Sequence, residues 1–243
     1  FKNNPFVDKS YKSSSIDFGF FNEFYTMHNS FYNMGKKNES GVEYKHNRID
    51  IRQVHAINLG FMLSKDEMQC FYRPTEPSKF NIESDKYVVI HPVKNWATRT
   101  WAEENWISLC KLLNSQNIKV VAIGKDSSET GFFNVDKPTF NLEIQDGINL
   151  VNQTNISDCW HIINNSSCFV TMDSGLLHLA GTTEAHIVHL GSHLLPEFRI
   201  PYRYGIQGYK HSYVHGSCNL FCGSDMKYGV SEWGNIQGVP PLI

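Results

Sequence analysis

The chain has 243 residues, 41% of them hydrophobic and 13% aromatic, with 22 Lys and Arg against 24 Asp and Glu for a formal charge of −2. That is apolar material for one large core or two smaller ones, and the scattered charge supplies no basic field for nucleic acid. No apolar run approaches the ~18 residues needed to cross a bilayer, so the composition predicts a soluble globular protein acting on a small molecule or glycan.

Nothing at the start reads as a signal peptide, which makes a cytoplasmic location the expectation. Six cysteines are too few for a disulfide framework in a chain this long, and Cys110, Cys159 and Cys168 fall in apolar segments that suit reduced, buried thiols. The chain begins at Phe1 rather than Met and stops at Pro240-Pro241-Leu242-Ile243 without a closing element, so a fragment of a longer protein is expected.

Residues 1–83 are rich in Asn, Ser, Lys and aromatics, with turn-forming pieces such as "KNNP", "MGKKNESG" and "RPTEPS". After Ser84 the pattern becomes regular. Short β-branched runs "YVVIH" (87–91), "KVVAIG" (119–124), "INLV" (148–151), "CFVTM" (168–172) and "HIVHLG" (186–191) alternate with helical stretches, which predicts a parallel sheet with helices on both faces. Trp106, Leu109, Cys110 and Leu113 make one apolar helical stripe. Ile156, Cys159, Trp160 and Ile163 make another, behind a cap at Asn155 with Asp158 three residues on. From His193 to Ile243 Pro, Gly, Tyr and Cys dominate, and an irregular segment is expected.

Two loops carry the chemistry. "CFVTM" leads through Asp173 and Ser174-Gly175 into the helix "LLHLAG", so the corner lies at the carboxyl edge of a parallel sheet, where ligands bind in open α/β folds. The unpaired first-turn N–H groups attract anions, and a diphosphate is the natural guest. Gly175 lets a phosphate approach the backbone, Ser174 adds a hydroxyl donor, and His178 lies one turn on. Asp173 would repel the anion, so its carboxylate holds the loop or meets a sugar hydroxyl. The bland alternative is an ordinary strand-to-helix cap. The second loop, within "VVIHPVKNWATRTWAEENW" (88–106), carries Lys94, Asn95, Thr98 and Arg99 from the end of another strand, and Arg99 can supply a fixed cation to the same pocket. Trp101 and Trp106 read as core packing.

Together these stretches resemble the nucleotide-sugar-binding half of glycosyltransferase family 9, the heptosyltransferases of lipopolysaccharide assembly and their relatives, which have the GT-B arrangement of two Rossmann-like domains. The resemblance rests on "RTW" (Arg99 to Trp101) and "DSGLLHLA" (Asp173 to Ala180), and runs over residues 86–192 in order and spacing. It implies a partial acceptor-side domain over 1–83 and a nucleotide-sugar-binding domain over 84–192. It further implies that Thr98, Arg99, Ser174, Gly175 and His178 meet the donor's diphosphate, that Asp173 touches the donor sugar, and that Asp126 and Thr154 lie against the nucleoside.

The chain departs from the family at His91-Pro92-Val93, where members often have a Pro-Gly pair, and at Ala102 in place of a common proline. No glycine-rich loop bearing the family's catalytic aspartate is visible, and the catalytic base is therefore unassigned.

The activity implied is transfer of a heptose-like sugar from a nucleoside-diphosphate donor, such as an ADP-heptose, to a glycan or lipopolysaccharide-type acceptor. Leaving-group charge needs a metal or fixed protein cations. The chain has no Asp-x-Asp pair, which favours a metal-independent, inverting reaction with no cofactor. No nucleic-acid partner and no transmembrane segment are expected, and peripheral membrane association is compatible with such an acceptor.

The alternative is a non-catalytic, degenerate transferase domain that binds nucleotide or glycan. A Rossmann dehydrogenase is disfavoured because "HPVKNWATR" lacks glycine. A serine hydrolase is disfavoured because the Gly-x-Ser-x-Gly elbow is missing. Cys218 and Cys222, with His211 and His215 before them, match zinc patterns only weakly, and no metal is assigned.

Overall fold

The computed structural model describes residues 50, 52–53, 56, 60–82, 86–92, 100–125, 144, 147–192 and 196–216. Thr98, Arg99, Asp126, Cys218 and Cys222 lie outside the described residues. Five strands coincide with the β-branched runs: β1 (Tyr87–Ile90), β2 (Lys119–Ala122), β3 (Ile148–Asn149), β4 (Cys168–Met172) and β5 (His186–Leu190). Between them lie α1 (Glu103–Ser115), α2 (Ile156–Asn164) and α3 (Gly175–Ala180). A short hairpin of β6 (Tyr202–Arg203) and β7 (Ile206–Gln207) precedes β8 (His211–Val214).

The sheet runs β3-β2-β1-β4-β5-β8, and every neighbouring pair is parallel. Strands buried on both faces read as continuous apolar runs rather than alternating ones, which is why β1 and β4 are legible as β-branched blocks. Alternate side chains supply two core layers. On one face Val88, Ile90, Val120, Val170 and Met172 pack with Trp106 and Cys110 of α1. On the other Val89, Val121, Phe169 and Ile187 pack with Ile162 and Ile163 of α2 and with Leu177 and Ala180 of α3.

The start of α2 is fixed locally. Asp158 donates its backbone N–H to Asn155 Oδ1 at 2.8 Å, and Asp158 Oδ2 accepts from the Asn155 N–H at 3.1 Å, forming a reciprocal capping box. Asp158 also accepts from the Lys79 N–H at 3.1 Å and the Ser78 hydroxyl at 3.3 Å. These bonds tie the segment before residue 84 to the sheet domain, and Tyr72, Phe80 and Ile82 pack against the same core.

The sheet also continues past His193, where irregular structure is expected from composition. β8 pairs with β5 from Ile187↔His211 to Leu190↔Val214. "HSYV" escapes notice because an edge strand needs only one buried face, and its residues alternate between partly buried and exposed. Buried Arg203 anchors the intervening hairpin by donating to the carbonyls of Ala180 (2.5 Å), Ala185 (2.9 Å), Tyr209 (3.2 Å) and Gly181 (3.3 Å). It satisfies carbonyls left open at the end of α3.

Candidate functional site

The chain leaves β1 toward β2 on one side and leaves β4 toward β5 on the other, while β1 and β4 are themselves neighbours. Strand order therefore reverses between them, and the crevice beyond their carboxyl ends is the place where doubly wound sheets bind ligands. His91, at the end of β1, and the corner starting at Asp173 flank it. Thr98, Arg99 and Asp126 lie outside the described residues.

Ser174 is the N-cap of α3 in extended conformation, yet its side chain makes no capping hydrogen bond. Its Oγ instead lies 3.3 Å from His91 Nδ1 and 3.4 Å from Thr171 Oγ1. Gly175 is exposed, and a Cβ placed on it would meet nothing within 4 Å. The backbone here can be approached closely from outside.

Asp173 and Arg199 form a buried ion pair, Oδ2 to Nε 3.4 Å, with 3% and 7% of each residue exposed. Arg199 follows the 3-10 turn Pro196–Phe198. The carboxylate that would repel an anion is thus balanced by a guanidinium. Asp50 and Arg52 form a second pair at 2.5 Å, and Arg52 also donates to the Ile200 carbonyl at 3.1 Å. His178, partly buried on α3, feels both pairs electrostatically. Burial lowers its pKa to about 4, with Asp173 opposing. Its imidazole is therefore neutral at pH 7 and acts as a hydrogen-bonding group, not a cation.

A buried polar layer lies beneath the corner. His91 is pushed down to about 4 by burial, and His189 to about 3 by burial against an opposing pull from Asp173. Both ring nitrogens of His189 lack a hydrogen-bond partner among the described residues. Its ring packs edge-on against His211 at 5.5 Å and Tyr213 at 5.2 Å. Thr154 sits before α2, where its Oγ1 accepts from the Cys159 thiol at 3.3 Å. On the α1 face of the carboxyl edge, a cavity of about 300 Å³ is lined by Trp101, Asn105, Met172, Leu190, Gly191 and Val214 among others. Trp106 is fully buried with Trp101 edge-on against it at 4.9 Å, as core packing requires.

The structure brings Asp173, Ser174, Gly175 and His178 together, and places Thr154 at the loop before the neighbouring helix. It adds two residues to the corner. Arg199 has no sequence motif to mark it. His91 stands in the sequence only as a departure from the family pattern. Among the described residues no three His, Cys, Asp or Glu side chains are placed to hold a metal ion, and none of the helices is long and apolar enough to cross a membrane.

Comparison with curated proteins finds no match. Among solved structures the chain is similar to the glycosyltransferase TibC of enterotoxigenic E. coli, described as iron-containing and dodecameric, with 18% identity and a TM-score of 0.56 over 79% of this chain and 46% of that one. It is similar to TibC in complex with ADP-D-β-D-heptose, with 17% identity and a TM-score of 0.55 over 75% of this chain and 44% of that one. E. coli ADP-heptose lipopolysaccharide heptosyltransferase II is also similar, at 20% identity and a TM-score of 0.45 over 58% of this chain and 42% of that one. The chain spans about half the length of the structures it matches. Likeness at such identity shows the fold, a Rossmann-like α/β sheet. The model of glycosyltransferase family 9 (heptosyltransferase) matches residues 49–213, from before β1 into β8 and across the whole Asp173–His178 corner, and the chain belongs to that family.

Proposed function

We propose that this chain is the donor-binding part of a sugar transferase that takes a heptose-like sugar from a nucleoside diphosphate, ADP-heptose or a close analogue, and delivers it to a glycan or lipopolysaccharide-type acceptor. The observation that carries this reading is the placement of the Asp173-Ser174-Gly175 corner of a family 9 chain at the reversal of strand order, with an exposed glycine that leaves room for a ligand. TibC with ADP-D-β-D-heptose bound supports the donor class.

In this reading the diphosphate lies against Ser174 and Gly175, Thr98 and Arg99 are further phosphate contacts, and neutral His178 is an additional hydrogen-bonding partner. Asp173 is held by Arg199, so the corner carries no net repulsion, and the Asp173 carboxylate is the group that meets the donor sugar. Asp126 and Thr154 contact the nucleoside. An acceptor hydroxyl attacks the anomeric carbon as the carbon–oxygen bond to the diphosphate breaks. The diphosphate leaves with the electron pair, the hydroxyl proton passes to a base outside the described residues, and the configuration inverts. Fixed protein charge stabilises the leaving group without a metal.

Calorimetric titration with ADP tests the reading. Saturable binding with a rise in melting temperature is expected; no heat with ADP, UDP or GDP at millimolar concentration would reject it.

A further inference from the structure

We propose that His91, which has no place among the phosphate-contacting residues, is a positioning residue that keeps the Ser174 hydroxyl proton available to the donor's phosphate. This rests on the diphosphate lying at the Ser174 corner, as proposed above.

Proton bookkeeping at one junction carries the inference. Thr171 Oγ1 donates to the Met172 carbonyl at 3.0 Å. A hydroxyl has one proton, so toward His91 Thr171 can only accept. The 3.1 Å contact between Thr171 Oγ1 and His91 Nδ1 therefore requires the proton on Nδ1. His91 is 7% exposed, and a buried imidazole without a carboxylate partner in the junction stays neutral, which fixes one tautomer, Nδ1–H.

The one Nδ1–H is shared between Thr171 Oγ1 and Ser174 Oγ at 3.3 Å, a three-centre arrangement in which Ser174 can only accept. The Ser174 oxygen does not cap α3, and its proton is not spent on His91. Its remaining partner in the junction is Thr171 Oγ1, at a long 3.4 Å and already accepting from His91. A phosphate oxygen competes easily with so weak a bond, because a charged acceptor shortens and strengthens the contact. Without His91, no N–H holds Ser174 Oγ as an acceptor from the inner side, and the Ser174 proton can turn inward to Thr171 Oγ1. His91 thus acts through Ser174, by donating to its oxygen and so keeping its proton on the outward side.

The test is calorimetric titration of the full-length protein with ADP and with adenosine, in the unaltered protein and in His91→Leu, His91→Asn, Ser174→Ala and the His91→Leu/Ser174→Ala double variant. His91→Leu is expected to weaken ADP binding by roughly 10- to 100-fold, the worth of one hydrogen bond to a charged group. It should leave adenosine binding unchanged. His91→Asn, which retains an N–H donor, is expected to recover most of the loss. The double variant should bind ADP no more weakly than Ser174→Ala.

Losses that multiply in the double variant would overturn the coupling, as would Ser174→Ala weakened while His91→Leu is not. If Ser174→Ala binds ADP as well as the unaltered protein, the diphosphate does not lie at this corner and the underlying reading fails instead. Nitrogen-15 spectra of the histidine rings, with His91 assigned by its loss in His91→Asn, keep the inference testable if the leucine variant does not fold. An Nδ1–H tautomer supports it and an Nε2–H tautomer overturns it.

Discussion

Replacing Arg199 with Met should destabilise the protein far more than removal of a surface charge, because Asp173 beneath it is 3% exposed. At the observed 3.4 Å, two unit charges attract by ~5 kcal/mol at an effective dielectric of about 20. The cost of taking both ions out of water offsets most of that, so the pair as a whole contributes little. Removal of one member is a different matter, since it leaves the other buried without its ion-pair partner, at a cost of about 3–5 kcal/mol. Arg199→Met should therefore lower the free energy of unfolding by roughly that amount, read from the urea midpoint at constant slope. Asp173→Asn added to it should restore most of the loss. ADP affinity should fall in Arg199→Met and recover in the double variant, because the anion then meets an amide rather than a carboxylate that has lost its guanidinium. If Arg199→Met shifts unfolding by less than about 1 kcal/mol, the value of an exposed pair, or if Asp173→Asn fails to compensate, the corner is not balanced by this pair.

Acidification should destabilise the native state. Burial lowers His91 to about 4 and His189 to about 3, below the ordinary histidine value. The unfolded chain therefore takes up protons that the native state refuses. Stability is full above about pH 6.5 and falls as pH drops toward the folded values, by about 2 kcal/mol per histidine at pH 5. Urea midpoints at pH 7 and pH 5 check this, and equal midpoints would contradict it. His189→Phe should keep the ring contacts with His211 and Tyr213 while removing two unpartnered nitrogens, raising stability at pH 7 by about 1 kcal/mol and flattening the acid slope; a loss of stability would show that those nitrogens are satisfied. Gly175→Val should leave folding within about 1 kcal/mol of the parent, since its side chain enters open space, yet should abolish ADP binding; retained binding would move the phosphates elsewhere. Arg99→Ala should weaken ADP by about 1.5–3 kcal/mol with little change in melting temperature. Sugar transfer by the protein should survive EDTA, and its loss on chelation would point to a metal.

What was legible in the sequence was what short-range chemistry decides. The β-branched runs mark β1 to β5 because parallel strands covered on both sides need apolar residues at every position. Asn155 and Asp158 mark the start of α2 because both halves of its capping box lie within one turn. The corner at Asp173-Ser174-Gly175 is visible because strand, turn and helix are consecutive. The remaining parts of the site come from distant chain segments. His91 reaches Ser174 across 83 residues only because β1 and β4 are neighbours, and no local spacing encodes that adjacency. Arg199 follows a turn after β5 whose sequence, "LLPEFRIP", carries no pattern for a buried cation. β8 was hidden because "HSYV" at a sheet edge needs no continuous apolar run. Asp173, for its part, was visible as the acid of the motif, but its ion pair was not, and that pair changes the carboxylate from an obstacle into a neutralised wall of the crevice.

A crystal structure of the protein soaked or grown with ADP decides whether the donor binds at this corner. The diphosphate is expected in the crevice between the ends of β1 and β4, with a phosphate oxygen within hydrogen-bond distance of Ser174 Oγ and of the backbone N–H of Gly175. ADP bound elsewhere on the chain, or an empty crevice at a saturating concentration, would contradict it.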